Sequence, residues 1–265
     1  MRTHWLRDER GAVGAPATPW REATLRRDPW WRDVVVILAA LGAFVAYATW
    51  RALMNAHYYA PPYISPFYSP CVAEACAHAT VRWIGGWWRF TPALLVLWVP
   101  LGFRVTCYYA RRVYYRAVFW TPPACAVRDR PTAYTGETRF PWVLQNLHRY
   151  FFWLILPIVA VHWWDVAVAF RFPDGVGVGV GSVVILADAT LLSLYTFSCH
   201  ACRHLCGGHV DAFSRAPVRG RLWRAVSALN PYHGLFFWLA LGMVALADLY
   251  VYLLSLGVIT DVRIL

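Results

Sequence analysis

A chain of 265 residues that is 59% hydrophobic and 15% charged, with several apolar runs of about 20 residues or more, reads as a polytopic membrane protein and not as a soluble globule. All 25 basic residues are arginine. The net charge of +11 is therefore read as membrane topology and as contact with anionic lipid or an acidic partner, with no nucleic acid involved.

Residues 1–32 carry seven arginines interleaved with Asp8, Glu9, Glu22 and Asp28. That mixture is unlike a signal peptide and predicts a cytoplasmic N-terminal arm. Residues 33–265 predict an all-α integral membrane domain, a bundle of five transmembrane helices at about 33–56, 91–111, 148–170, 178–204 and 233–257. The fourth follows a glycine-rich turn, "DGVGVGVG", expected to be flexible. Arginines cluster before the first span, between the second and third, and after the fourth. The positive-inside rule then places the N-terminus in the cytoplasm and the C-terminus outside, which requires an odd number of spans. In the outer loop 57–90, Cys71 and Cys76 lie on the oxidising side and are expected to form a small disulfide.

Topology also sorts the cysteines and histidines. Cys107, Cys125, His148, His233 and the run "CHACRHLC" (Cys199, His200, Cys202, His204, Cys206) all fall at the cytoplasmic end of the bundle. Read as one helix, the run places Cys199, Cys202 and Cys206 on one face and His200 and His204 on the adjacent stripe. Thiolates and imidazoles hold zinc, iron–sulfur centres and haem. Structural zinc suits the ligand types. A Rieske-type [2Fe-2S] centre takes two cysteines on one iron and two histidines on the other. Haem b is a third option, because His148 and His162 lie 14 residues apart on one helix, about 21 Å along it. No outer histidine within a span pairs with His162, which disfavours two haems. A second layer holds His162, Asp165, Asp188 and Asp248; ionisable residues at such depth line an interior path or pair with one another. On the residues alone these alternatives stay open.

Four segments carry a family resemblance: "FRVTCYYARRVYYR" (103–116), "GETRFPWVLQNLHRYFFW" (136–153), "LYTFSCHACRHLCGG" (194–208) and "LNPYHGLFFW" (229–238). They resemble the membrane-anchor subunit of actinobacterial succinate dehydrogenase, over most of residues 33–265. The resemblance implies a multi-pass protein of the bacterial plasma membrane, an anchor for flavoprotein and iron–sulfur subunits on the cytoplasmic face. It would bind quinone, menaquinone being the expected kind, and relay electrons to it through a Cys/His-ligated Rieske-type cluster. Succinate oxidation would take place in a partner subunit. The expected metal ligands are Cys199, Cys202, His148 and His204, with Cys125 behind the cysteines and His233 and His200 behind the histidines. Tyr150, Trp153, Arg203, Tyr232 and His233 are the expected quinone contacts, since aromatic walls suit the ring and polar tips its carbonyls. The alternatives are a haem-b anchor of fumarate reductase type and a non-redox scaffold or transporter holding structural metal.

Overall fold

The computed structural model describes residues 31–69, 81–84, 88–114, 138, 140 and 142–265. All but the last two residues of the N-terminal arm, together with Cys71, Cys76 and Cys125, lie outside the described residues.

Helix α1 (Trp31–Met54) opens with Asp33 in its first turn, where a carboxylate complements the helix dipole. Apart from Arg51 and Ala52 none of it is fully buried, and Val35, Val36, Leu38 and Val45 face outward, as suits a helix in lipid. It leads into an antiparallel hairpin of β1 (Tyr59–Ala60) and β2 (Tyr63–Ile64), then a 3-10 turn over Pro66–Tyr68. A second hairpin, β3 (Val81–Ile84) with β4 (Trp88–Phe90), precedes α2 (Pro92–Thr106). Proline at its first position suits the α2 start. The chain breaks at Cys107 and resumes as α3 (Tyr108–Tyr114).

A 3-10 turn over Trp142–Leu147 feeds α4 (His148–Ala169), which ends in the hairpin β5 (Arg171–Phe172) and β6 (Gly175–Val176). Next come α5 (Val180–Phe197), α6 (His200–Gly207), α7 (Pro217–Leu229) and α8 (His233–Ser255). Helix α8 packs along α5, α5 along α4, and α4 along α2, with α1 against α2 and α8.

Among the described residues, four helical stretches are long and apolar enough to cross a membrane: Trp31–Met54, Val143–Ala169, Val180–Phe197 and Pro217–Ser255. The second expected span differs. Helix α2 has only 15 residues, with Pro100 inside it, and the expected 91–111 segment is divided by the break at Cys107. The fourth expected helix is likewise divided, because α5 stops at Phe197 and α6 starts at His200.

The bundle has two distinct ends. One, the thiol end, gathers the starts of α4 and α8 and the finishes of α2 and α5. At the other, the hairpin end, the C-terminal tail clamps the glycine-rich segment. Val178 donates to the Leu265 carbonyl at 3.0 Å, Ile264 donates to Val178 at 2.7 Å, and Val180 donates to Val262 at 3.0 Å. A Cβ on Gly179 would collide with the Asp261 carboxylate and the Tyr63 hydroxyl, and one on Gly181 with the Tyr63 ring. From Gly177 to Gly181 the "DGVGVGVG" run is thus a packed seam that needs glycine for close approach, not the flexible turn its composition suggests. Tyr63 donates to Asp261 at 2.5 Å, and burial, reinforced by that carboxylate, pushes its phenol up to about 12. It stays a donor throughout the physiological range.

At the same end, Asp248 is buried with four donors around it: Arg51 Nε at 2.7 Å, Arg51 Nη2 at 3.2 Å, the Tyr47 hydroxyl at 2.5 Å and the Ser65 hydroxyl. The remaining Arg51 donors reach the carbonyls of Ala56 and His57. This pair ties α1 and the β2 loop to α8.

Candidate metal centre and adjoining cavity

Four helix junctions at the thiol end bring two thiols and two imidazoles together. Cys107 follows α2 with φ −62° and ψ 133°, and Cys199 precedes α6 with φ −70° and ψ 150°, so both cysteines sit on extended backbone between helices. His148 and His233 are the first residues of α4 and α8. Cys107 and Cys199 are each 1% exposed, His233 is buried and His148 half-buried. The ligand atoms of Cys107, Cys199 and His233 lie within 4.8 Å of one another. Cys199 Sγ is 2.9 Å from His148 Nε2, and Cys107 Sγ is 3.2 Å from His233 Nε2.

The hydroxyls behind the imidazoles fix their tautomers. Thr106 Oγ1 donates its one proton to the Gly102 carbonyl at 2.7 Å, so it accepts from His148 Nδ1–H at 3.0 Å. Ser198 Oγ donates to the Tyr195 carbonyl at 3.2 Å and accepts from His233 Nδ1–H at 2.8 Å. In both rings Nδ1 carries the hydrogen, and the Nε2 lone pair faces a thiol. That is the outer support a metal-bound imidazole needs. Aromatic rings hold both imidazoles flat: Phe103 stacks on His148 at 4.7 Å, and Tyr195 stacks on His233 at 4.9 Å.

Those two rings also line a cavity of about 390 Å³ between α1, α2, α4 and α5. Its walls are mainly apolar, including Phe44, Ala48, Phe67, Leu97 and Val159. Arg104 lines it beside the thiol site, its guanidinium 4.7 Å from the Tyr195 ring centre, and His162 lines it nearer the hairpin end. The size and lining suit a flat, largely apolar organic ligand. One ring separates this space from each imidazole.

Of the ligands expected from sequence, Cys199 and His148 join this group, as does His233. Cys202 does not: it is buried on α6 beside Cys206. His204 is exposed and packs edge-on against His209, with ring centres 5.5 Å apart. His200 is also exposed, against Tyr108. That placement has a local cause. An i,i+3 pairing needs one continuous helix, whereas Cys199 sits on extended backbone ahead of α6 and Cys202 lies inside it. The second thiol in the group is that of Cys107. Its place at the end of an apolar run, level with the other candidates, was the available signal. Tyr150, Trp153 and Tyr232 are each more than half exposed and lie outside the cavity lining. Arg203 bonds Ser227 at 3.0 Å and lies over Trp223 at 4.9 Å.

The model of a family described as actinobacterial succinate dehydrogenase subunit SdhC matches residues 32–257. Among solved structures, a chain of the Mycobacterium smegmatis Sdh1 complex in the apo form is similar, with a TM-score of 0.82 and 45% identity. The alignment covers 92% of this chain and 94% of that one. Among curated proteins, none matches.

Proposed function

Because the chain belongs to the actinobacterial succinate dehydrogenase subunit SdhC family, we propose that it is the quinone-reducing membrane anchor of that enzyme, holding a Rieske-type [2Fe-2S] centre. It acts in the bacterial plasma membrane alongside the other succinate dehydrogenase subunits. Residues 33–265 form the membrane domain, with the thiol end and the arm 1–32 on the cytoplasmic side and the C-terminus outside. The arginines of α7 and the exposed Tyr150, Trp153 and Tyr232 then face the iron–sulfur subunit.

The carrying observation is the buried pairing of two thiols with two Nε2-directed imidazoles, one ring away from an apolar cavity. Cys107 and Cys199 would hold one iron, and His148 and His233 the other. Neutral imidazole ligands lessen the charge to be desolvated, and when bound such a centre supplies one-electron transfer at raised potential. Thr106 and Ser198 hold the rings in the coordinating tautomer. The cavity takes the quinone ring, with Arg104 and His162 as its hydrogen-bonding groups and Phe103 and Tyr195 between ring and centre. The donor atoms of Cys107, Cys199 and His233 all fall within 4.8 Å of one another, which suits a compact inorganic centre.

In the purified complex, Cys199→Ser should abolish succinate:quinone activity and leave succinate oxidation with a soluble dye intact. Retained quinone reduction would refute the relay. Ala48→Trp should fill the cavity and suppress quinone reduction with the centre's EPR signal unchanged; unchanged turnover would remove the quinone from this cavity.

A further inference from the structure

The layer of His162, Asp165, Asp188 and Asp248 divides into two kinds. Asp248 is saturated by Arg51, Tyr47 and Ser65 and acts as a fastener. Asp188 is 1% exposed, and its Oδ1 has no hydrogen-bond partner among the described residues. A buried carboxyl oxygen left without a donor is costly and calls for an explanation.

Its surroundings supply one. Ser69, at the hairpin end, donates to Asp165 and lies 3.4 Å from His162 Nδ1. His162 Nδ1 is 2.8 Å from the Ile158 carbonyl, which only accepts, so Nδ1 carries the hydrogen and Nε2 is free to take a proton. His162 lines the cavity, and Asp165 stands one turn further toward the hairpin end of α4. Asp188, on α5, is within electrostatic reach of both Asp165 and Arg104, and Arg104 lines the cavity at its thiol end. The charged groups facing Asp188 are thus Arg104 from α2 and Asp165 from α4. Titratable groups extend from the hairpin end to both ends of the cavity.

We propose that Asp165, His162 and Asp188 form a proton route from the hairpin-end face of the membrane to the cavity. The inference rests on the cavity being the quinone site. Oxidation of succinate to fumarate in the partner subunits releases two electrons and, on their own side of the membrane, two protons; the quinone takes the electrons with two other protons drawn from the hairpin end and leaves as quinol. Asp165 and His162 pass protons inward, and the open oxygen of Asp188 holds one between them and Arg104. A carboxyl without fixed donors can alternate between protonated and ionised states, which the saturated Asp248 cannot.

The test uses the whole complex in vesicles with a pH dye trapped in the lumen. Succinate added outside drives only those complexes whose soluble subunits face outward, so the hairpin end faces the lumen. The wild-type lumen should become alkaline during reduction of added quinone. Asp188→Asn and Asp165→Asn should each slow lumenal proton uptake by about 100-fold, and Asp188→Glu should restore it. Unchanged dye-coupled succinate oxidation and an unchanged EPR signal in these variants establish that they fold. Wild-type quinone reduction without lumenal alkalinisation would overturn the route and leave the quinone site standing. So would Asp188→Asn that alkalinises the lumen at the wild-type rate. Failure of Ala48→Trp to affect turnover would instead remove the cavity reading on which the route depends.

Discussion

Thr106 and Ser198 do more for the thiol end than their size suggests, because each spends its proton on its own helix and so obliges an imidazole to donate. Thr106→Val and Ser198→Ala remove that acceptor. Each should weaken metal retention by about 10–100-fold, read as iron remaining per complex after chelator challenge. Unaltered retention would mean that the hydroxyls only fill space. At this scale the sequence was partly legible. Cys199, His148 and His233 stood out because topology brought them to one depth. Cys107 lies at that depth too, but helical periodicity favours Cys202. No glycine or proline announces the extended residue at Cys199 or at Cys107, so periodicity ran on through a break that tertiary packing imposes.

The elements are held by contacts that no local pattern reveals. Asp248 is legible in the sequence as an ionisable residue at membrane depth, yet its partnership with Arg51 spans 197 positions. Removing one member leaves a buried charge unmatched. Asp248→Ala should therefore destabilise the protein by about 3–5 kcal/mol, measured by thermal unfolding of the detergent-solubilised complex. A near-neutral effect would contradict the fastening role. The glycine-rich run makes the same point in reverse. Its composition reads as flexibility, whereas Tyr63, Asp261 and the C-terminal tail close on it. Helix positions in α1, α4, α5 and α8 were predictable because apolarity over a bilayer's width is a strong signal. The shortness of α2 was not, since its apolar run continues past the break into α3.

Taken whole, the bundle separates two traffics. On the proposed function and the proposed proton route, electrons would enter at the thiol end, beneath the arginine-rich surface of α7, and protons from the hairpin end through α4 and α5, the two meeting at the cavity. The account depends most on which four residues hold the centre. EPR and metal analysis of the reduced complex carrying Cys107→Ser, compared with Cys202→Ser, address this directly. Cys107→Ser should abolish a Rieske-like signal and lower iron by the equivalent of one two-iron centre, while Cys202→Ser should leave both at wild-type levels. A signal that survives Cys107→Ser, or disappears with Cys202→Ser, would contradict the assignment, as would zinc in place of that iron.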